Sequence, residues 1–287
     1  MRTRYRISIG GTQLDACLDN NSTYKKYKDS IVITNISYSA PEFSRTIETA
    51  GDGDGGIITK TYRQKASVTV TFCLRIYNVA DRFAVCQIIK GMCQKGGTIS
   101  TNDRTGQILQ NCVCEKFPEI ESARDWAEPL TMTFSSYSFP YWRDSTEKTY
   151  KTLKGKSTSA SATIPGNAPV TNCIVRMTAN ENFAKTSSKS ASVTIGTTVK
   201  LGVNGTYINL AYEFKKNNYV VIDYTSNNIL RIRLYETKSA TKSTSLLEYV
   251  MPNSDDKLLA TPGASNKFEI DALKSITAEF ALRGAWL

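Results

Sequence analysis

"SVTVTFCLRIY", residues 67–77, is the stretch on which the fold turns. Val68, Val70, Phe72, Leu74 and Ile76 alternate with Thr69, Thr71, Cys73 and Arg75. Successive side chains on a strand point to opposite faces, so a period of two predicts a half-buried strand. The β-branched residues along the run suit a pleated, half-buried surface. The same period recurs on both sides. "RYRISI" (4–9) and "SIVITNISYS" (30–39) precede it; "QILQNCVCEKF" (107–117) and "PLTMTFSSYSF" (129–139) follow.

One segment breaks the pattern. In "NVADRFAVCQIIKGMCQKGG" (78–97), Val79, Phe83, Cys86, Ile89 or Lys90, and Cys93 recur at helical spacing. Asn78 is a natural N-cap and Gly96-Gly97 a natural stop, which predicts a helix over about 79–95. The first half is therefore expected to be a small α+β domain: strands with one helix packed on them.

At "SFPYWRD" (138–144) this domain is expected to end. Pro140 takes the chain out of the last strand, and Tyr141 and Trp142 are amphipathic aromatics suited to a domain boundary. Pro140, Tyr141, Trp142 and Arg143 are thus a candidate interdomain hinge. The boundary reading gives a domain over 1–143, a Ser/Thr/Lys-rich connector over 144–165 with one weak strand, and a second domain over 166–287. That second part holds the strand-like runs 172–179, 191–196, 206–214, 219–224, 229–236 and 274–287. Short strands separated by turn residues such as Asn217-Asn218, Asn227-Asn228 and Pro262-Gly263 predict a β-sandwich.

Composition limits the chemistry. The 287 residues suffice for one large or two ordinary domains. The opening "MRTRYRISIGG" lacks the apolar segment of a signal peptide, and no run spans a bilayer, so neither export nor membrane insertion is expected. Net charge is +10. Residues 1–143 hold 18 Lys+Arg against 14 Asp+Glu and residues 144–287 hold 18 against 12, an excess of +4 and +6 without a basic block. A solvated basic surface accounts for that spread more simply than a nucleic-acid groove. There is no histidine, which excludes His-based triads and His-metal sites. Seven cysteines include no CxxC pair; they read as small buried hydrophobes, with a thiolate zinc site as the alternative. No G-x-S-x-G or Walker sequence occurs, and no catalytic residue, metal ligand or cofactor is expected. The tyrosines at 207, 212, 219, 224 and 235 offer a second possibility, rings that stack on sugars, against the plainer reading of inward or edge-covering side chains.

"ETAGDGDGGIITKTYRQ" (48–64) formally contains G-x-G-x-x-G at Gly51, Gly53 and Gly56. Asp52 and Asp54 would repel a pyrophosphate, and a strand follows where a helix N-terminus is required, so this is no dinucleotide site. Gly56 and Arg63 stand where an EF-hand needs ligands. What remains is a long loop on a rigid sheet, expected to be a hairpin arm that touches a partner. Asp52, Asp54, Ile57, Ile58 and Tyr62 are its candidate contact residues.

Taken in order, these elements resemble the phage distal tail protein family (Dit, the siphophage tail component). The resemblance is carried by "FPYW" (139–142), "GNAPVTNCIVRM" (166–177), "INLAYEFKKNNYVVIDYTSNNILRI" (208–232), "LLATPGASNKFEI" (258–270) and the terminal "GAWL" (284–287). The turn 215–218 departs from it, reading Lys-Lys-Asn-Asn rather than Gly-Asp. The resemblance implies a mainly β chain: a tail-tube-like β-barrel or sandwich with one packed helix, then a galectin-like β-sandwich, whose last strand can pack back on the first domain. It implies a structural virion protein at the tail tip of a long non-contractile-tailed phage, assembled in the host bacterial cytoplasm, and no enzyme. The implied homo-oligomer is a hexamer ring. Implied partners are the tail tube protein, the tail-associated hub or tape measure protein, and receptor-binding proteins, with DNA passing through the bore without sequence-specific binding. The resemblance leaves another tail component, such as a tube subunit or baseplate adaptor, as an alternative, and the tyrosines leave a carbohydrate-binding adhesin.

Overall fold

The computed structural model describes residues 5–41, 43–49, 56–120, 128–183, 198–225 and 228–287. The chain divides into two units, Met1–Arg143 with Leu287, and Asp144–Trp286. Both are built mainly of strands.

The first unit holds β1 (Ile7–Ile9), β2 (Ile31–Ser39), β3 (Phe43–Thr49), β4 (Gly56–Arg63), β5 (Ala66–Leu74), helix α1 (Val79–Lys95), β6 (Gly97–Thr101), β7 (Gln107–Lys116) and β8 (Pro129–Ser136). Its main sheet runs β1-β6-β7-β8-β5-β2, with antiparallel neighbours throughout. β5 alternates without exception: Ala66, Val68, Val70, Phe72 and Leu74 are buried, and Ser67, Thr69, Thr71 and Cys73 are half-buried. Opposite it, β8 pairs Phe134 with Val68, Met132 with Val70 and Leu130 with Phe72. On the other face, hydroxyls meet across the strands, Ser67 Oγ to Ser135 Oγ at 2.8 Å and Thr69 Oγ1 to Thr133 Oγ1 at 3.1 Å.

Helix α1 begins where the Asn78 side chain accepts the Asp81 N–H (3.0 Å), and ends at Gly96, whose φ of 55° suits glycine. Val85, Cys86, Ile89, Met92 and Cys93 form its buried stripe, and Cys93 Sγ lies 3.6 Å from Met132 Sδ. Here the expected stripe shifts. Val79 and Phe83 are 42% and 41% exposed, and the buried line runs instead through positions 82, 85, 86, 89, 92 and 93. Both lines satisfy helical spacing; the sheet beneath selects between them.

The second unit holds β9 (Lys148–Thr163), β10 (Ile174–Ala179), β11 (Val199–Val203), β12 (Thr206–Leu210), β13 (Tyr219–Tyr224), β14 (Leu230–Tyr235) and β15 (Ser265–Leu282). The order is β12-β11-β15-β10-β13-β14, and β9 also pairs with β15. β15 organises the unit. β11 pairs with it over Phe268–Ala272, and β10 over Ile276–Ala281. Between these spans the β9 register jumps from Gly155↔Ile276 to Ser157↔Asp271. Twelve residues of straight strand would cover roughly 40 Å, yet the rings of Phe268 and Phe280 stand 5.2 Å apart. The strand therefore folds over at 272–275, and its two halves face each other. Leu201, Val203, Phe268 and Ile270 on one side and Val175, Met177, Val220, Ile222 and Phe280 on the other share one core. This is sandwich packing made from one continuous, bent sheet.

Two expectations change. Residues 148–163 of the expected connector are a strand of 16 residues, hydrogen-bonded to β15. Only Leu153 of it is fully buried, with Tyr150, Ala160 and Ala162 partly buried against the core, and its other positions are largely exposed, which explains its polar composition; backbone pairing to β15 holds it along its length. The last long strand begins at Ser265 rather than 274, because Pro262-Gly263 turns the chain immediately before it. The expected strand at 191–196 lies outside the described residues.

Candidate assembly surfaces

β3 and β4 form a ribbon of their own and pair with no other described strand. Their register runs from Phe43↔Arg63 to Thr46↔Lys60, shifts, and continues from Ile47↔Ile58 to Thr49↔Gly56. Thr59, the extra residue at the shift, donates its hydroxyl to the Thr46 carbonyl (3.3 Å). A lone two-stranded ribbon is marginal in water, and its unpaired edges invite another chain. The shift places Ile47 directly opposite Ile58, and the two are 62% and 50% exposed. Of the expected contact residues, Ile58 lies in this pair. Ile57 and Tyr62 belong to β4 by their backbone, while their side chains lie outside the described residues, as do Asp52 and Asp54. Ile47 was not singled out by the sequence; the signal available was its β-branched side chain across the glycine-rich stretch from "GIIT".

Phe139, Tyr141 and Trp142 close the first unit as buried rings. Tyr141 meets Phe139 edge-on at 5.0 Å, and Arg63 stands 5.8 Å from its ring centre. Trp142, 3% exposed, meets Tyr38 edge-on at 5.4 Å. The Arg104 guanidinium lies 4.6 Å from the Tyr38 ring centre and 4.9 Å from that of Trp142, close enough for cation–π attraction. The Tyr38 hydroxyl bonds to Asp103 (2.6 and 2.7 Å); burial, then this carboxylate, raises its pKa. Arg143 covers Phe139 at 3.7 Å and donates to Gln110 Oε1 (3.1 Å). The unit division falls directly after Arg143.

A second polar cluster sits on the first unit's sheet. Lys65 Nζ donates to both Glu115 oxygens (2.7 and 2.6 Å), Ser135 Oγ donates to Oε2 (2.7 Å), and the Tyr137 hydroxyl donates to Oε1. The Lys65 hydrogen bond, seconded by Tyr137, holds the Glu115 carboxyl down at about 2.

The tyrosines of the second unit do not form an open row. Tyr207 lies against Gly202 with Lys200 Nζ 3.7 Å from its ring centre, and its hydroxyl donates to Glu269 (3.2 Å). Tyr212 is flanked by Tyr249 (4.9 Å) and Phe214 (5.0 Å), and Tyr219 pairs with Tyr235 at 6.1 Å. The Tyr224 hydroxyl accepts the Leu258 N–H (2.8 Å). Asp255 accepts the Tyr207 N–H (2.7 Å) in a turn. Cys86, Cys93, Cys112 and Cys173 are buried, and no two of the cysteines form a disulfide among the described residues. Among the described residues no three His, Cys, Asp or Glu side chains converge as a metal site, and no helix is long and apolar enough to cross a membrane.

No protein-family model matches the chain, and no curated protein matches it in sequence. Solved structures do. The SPP1 Dit protein, described as a paradigm of hub adsorption apparatus in phages infecting Gram-positive hosts, matches with a TM-score of 0.64 at 13% identity, over 99% of this chain and 100% of that one. Chains of the phage P2 baseplate in its activated conformation match at 10% identity and a TM-score of 0.45. The calcium form covers 99% of this chain and 98% of that one; the strontium form covers 98% and 97%. Across both units, in order and from end to end, the chain has the fold of the SPP1 Dit protein.

Proposed function

We propose that the protein is a structural subunit of a phage tail tip that self-assembles into a closed sixfold ring through its first unit. One observation carries the reading: the likeness to SPP1 Dit extends over 99% of this chain and all of that one. The arm agrees with it. A ring needs two different, complementary patches on each subunit, and the β3–β4 ribbon with its exposed Ile47–Ile58 pair supplies one. In this reading the ring joins the tail tube to the tip or baseplate hub, DNA passes its bore, and the galectin-like sandwich faces outward as an anchor for receptor-binding proteins. Pro140–Arg143, packed within the first unit, is the segment at which the ring part ends and the anchor part begins. Catalysis has no part in it.

The test is the mass of the purified protein in native mass spectrometry across a concentration series. A six-chain species that grows with concentration is expected. A monomer at every concentration overturns the proposal.

A further inference from the structure

The Lys215-Lys216-Asn217-Asn218 turn, where the sequence departs from the family pattern, forms one wall of a cleft of about 580 Å³ in the second unit. The volume lies within the range of small-molecule sites. The turn is fixed rather than loose. Lys215 N–H donates to Asn218 Oδ1 (2.8 Å), Asn218 N–H returns to the Lys215 carbonyl (3.0 Å), and Lys216 N–H donates to Asn182 Oδ1 (2.7 Å). Asn217 takes the left-handed conformation this turn requires, with φ of 71°. Asn218 is anchored on the other side through Nδ2 to the Glu236 carbonyl (3.3 Å).

The opposite wall brings Lys242, Ser243 and Thr244, the last paired with Leu234 of β14. Three lysines and one glutamate, Glu236, line the cleft, a net of two positive charges. Two hydroxyls stand beside them. Tyr212 and Leu234 supply apolar surface, and the Tyr212 ring is held by its contacts with Tyr249 and Phe214. Ammonium groups attract phosphate as point charges, hydroxyl side chains exchange hydrogen bonds with polyol hydroxyls, and a ring edge or aliphatic side chain accepts C–H surface.

We infer that this cleft binds a phosphate-bearing polyol or sugar, with Lys215, Lys216 and Lys242 on the phosphate and Ser243 and Thr244 on the hydroxyls. The site stands on the second unit alone and does not depend on ring formation. Two sources present this chemistry, a polyol-phosphate polymer and a free small phosphate.

The purified full chain is titrated calorimetrically with short poly(glycerol phosphate) at near-physiological salt. Inorganic phosphate, glycerol 3-phosphate and glycerol serve as competitors. Saturable binding is expected, with Lys215→Gln and Lys242→Gln each weakening it about tenfold or more. Lys215→Arg should retain most of the affinity. Lys154→Gln with Lys156→Gln, which removes twice the charge of either variant but from β9, should leave it unchanged. Competition by glycerol 3-phosphate well above that by inorganic phosphate assigns recognition to phosphate and polyol together, and tighter binding of the polymer than of the ester assigns the polymer source, equal binding the free small phosphate; inorganic phosphate competing as well as the ester overturns the polyol inference. Absence of saturable binding, equal competition by glycerol, or an equal loss in the Lys154/Lys156 variant overturns the inference.

Discussion

Replacing Ile47 and Ile58 together by threonine removes the apolar pair of the arm while keeping β-branched residues in both strands. Full burial of an exposed isoleucine contributes roughly 1.5–3 kcal/mol. Ile47 and Ile58 have 62% and 50% of their surface still in water. Covering what remains would contribute about 1–1.5 kcal/mol for each, or about 2–3 kcal/mol for the pair. At ~1.4 kcal/mol per factor of ten, the association constant of each subunit contact falls about 30- to 150-fold in the double variant. The folded subunit should scarcely notice, since exposed substitutions usually shift stability by less than about 0.5 kcal/mol. Sedimentation velocity over a dilution series reads the first quantity, and urea unfolding the second. The expected result is a transition to monomer at one to two orders of magnitude higher concentration, with an unchanged urea midpoint. Assembly at the wild-type concentration, or a clear loss of folded stability, would show that the Ile47–Ile58 pair is not a subunit contact.

Trp142→Ala should destabilise the first unit by about 3–5 kcal/mol, because it empties a buried ring site beside Tyr38 and Arg104; urea unfolding followed by tryptophan and tyrosine fluorescence checks it. Gly166→Ala should destabilise the second unit by about 2 kcal/mol or more, since φ is +126° and an added Cβ would lie 2.0 Å from the Ala285 carbonyl oxygen; calorimetric melting measures the loss. The Glu115 carboxyl is lowered in the folded state from 4.5 to about 2 by Lys65 and Tyr137. A lowered carboxyl pKa contributes stability that is complete above its unfolded value and is lost as pH falls through the folded one. Acid unfolding between about pH 4.5 and pH 2 should therefore be shallower in Glu115→Gln than in the wild type; an identical slope would remove Glu115 from the account.

Where a segment has one buried face, the sequence was legible. Residues 67–74 alternate in burial as they alternate in composition, and the helix starts at Asn78 and stops at Gly96 as its caps require. Choice of helix face was less so, because Val79 and Phe83 fit the same spacing as the true stripe. The strand at 148–163 was legible only as one weak strand in a connector, because its hydrogen bonds are to β15 and its side chains face water on most positions. The fold-over of 265–282 leaves no local mark. Its evidence is the meeting of Phe268 and Phe280, two residues that any strand pattern places far apart. At the arm, the glycine-rich 51–56 segment announced a hairpin, but the Ile47–Ile58 pairing depends on a register shift at Thr59 that composition cannot specify. The basic cleft needed three separate chain segments brought together, around 212–218, 234–236 and 240–244.

The central claim is that the first unit builds a ring and the second decorates it. A cryo-electron microscopy map of the assembled protein tests this most directly. The account predicts sixfold symmetry, residues of the first unit around the bore, the Ile47–Ile58 ribbon seated on a neighbouring subunit, and the sandwich at the periphery. A map with the sandwich around the bore, or with the ribbon free in solvent, would contradict it.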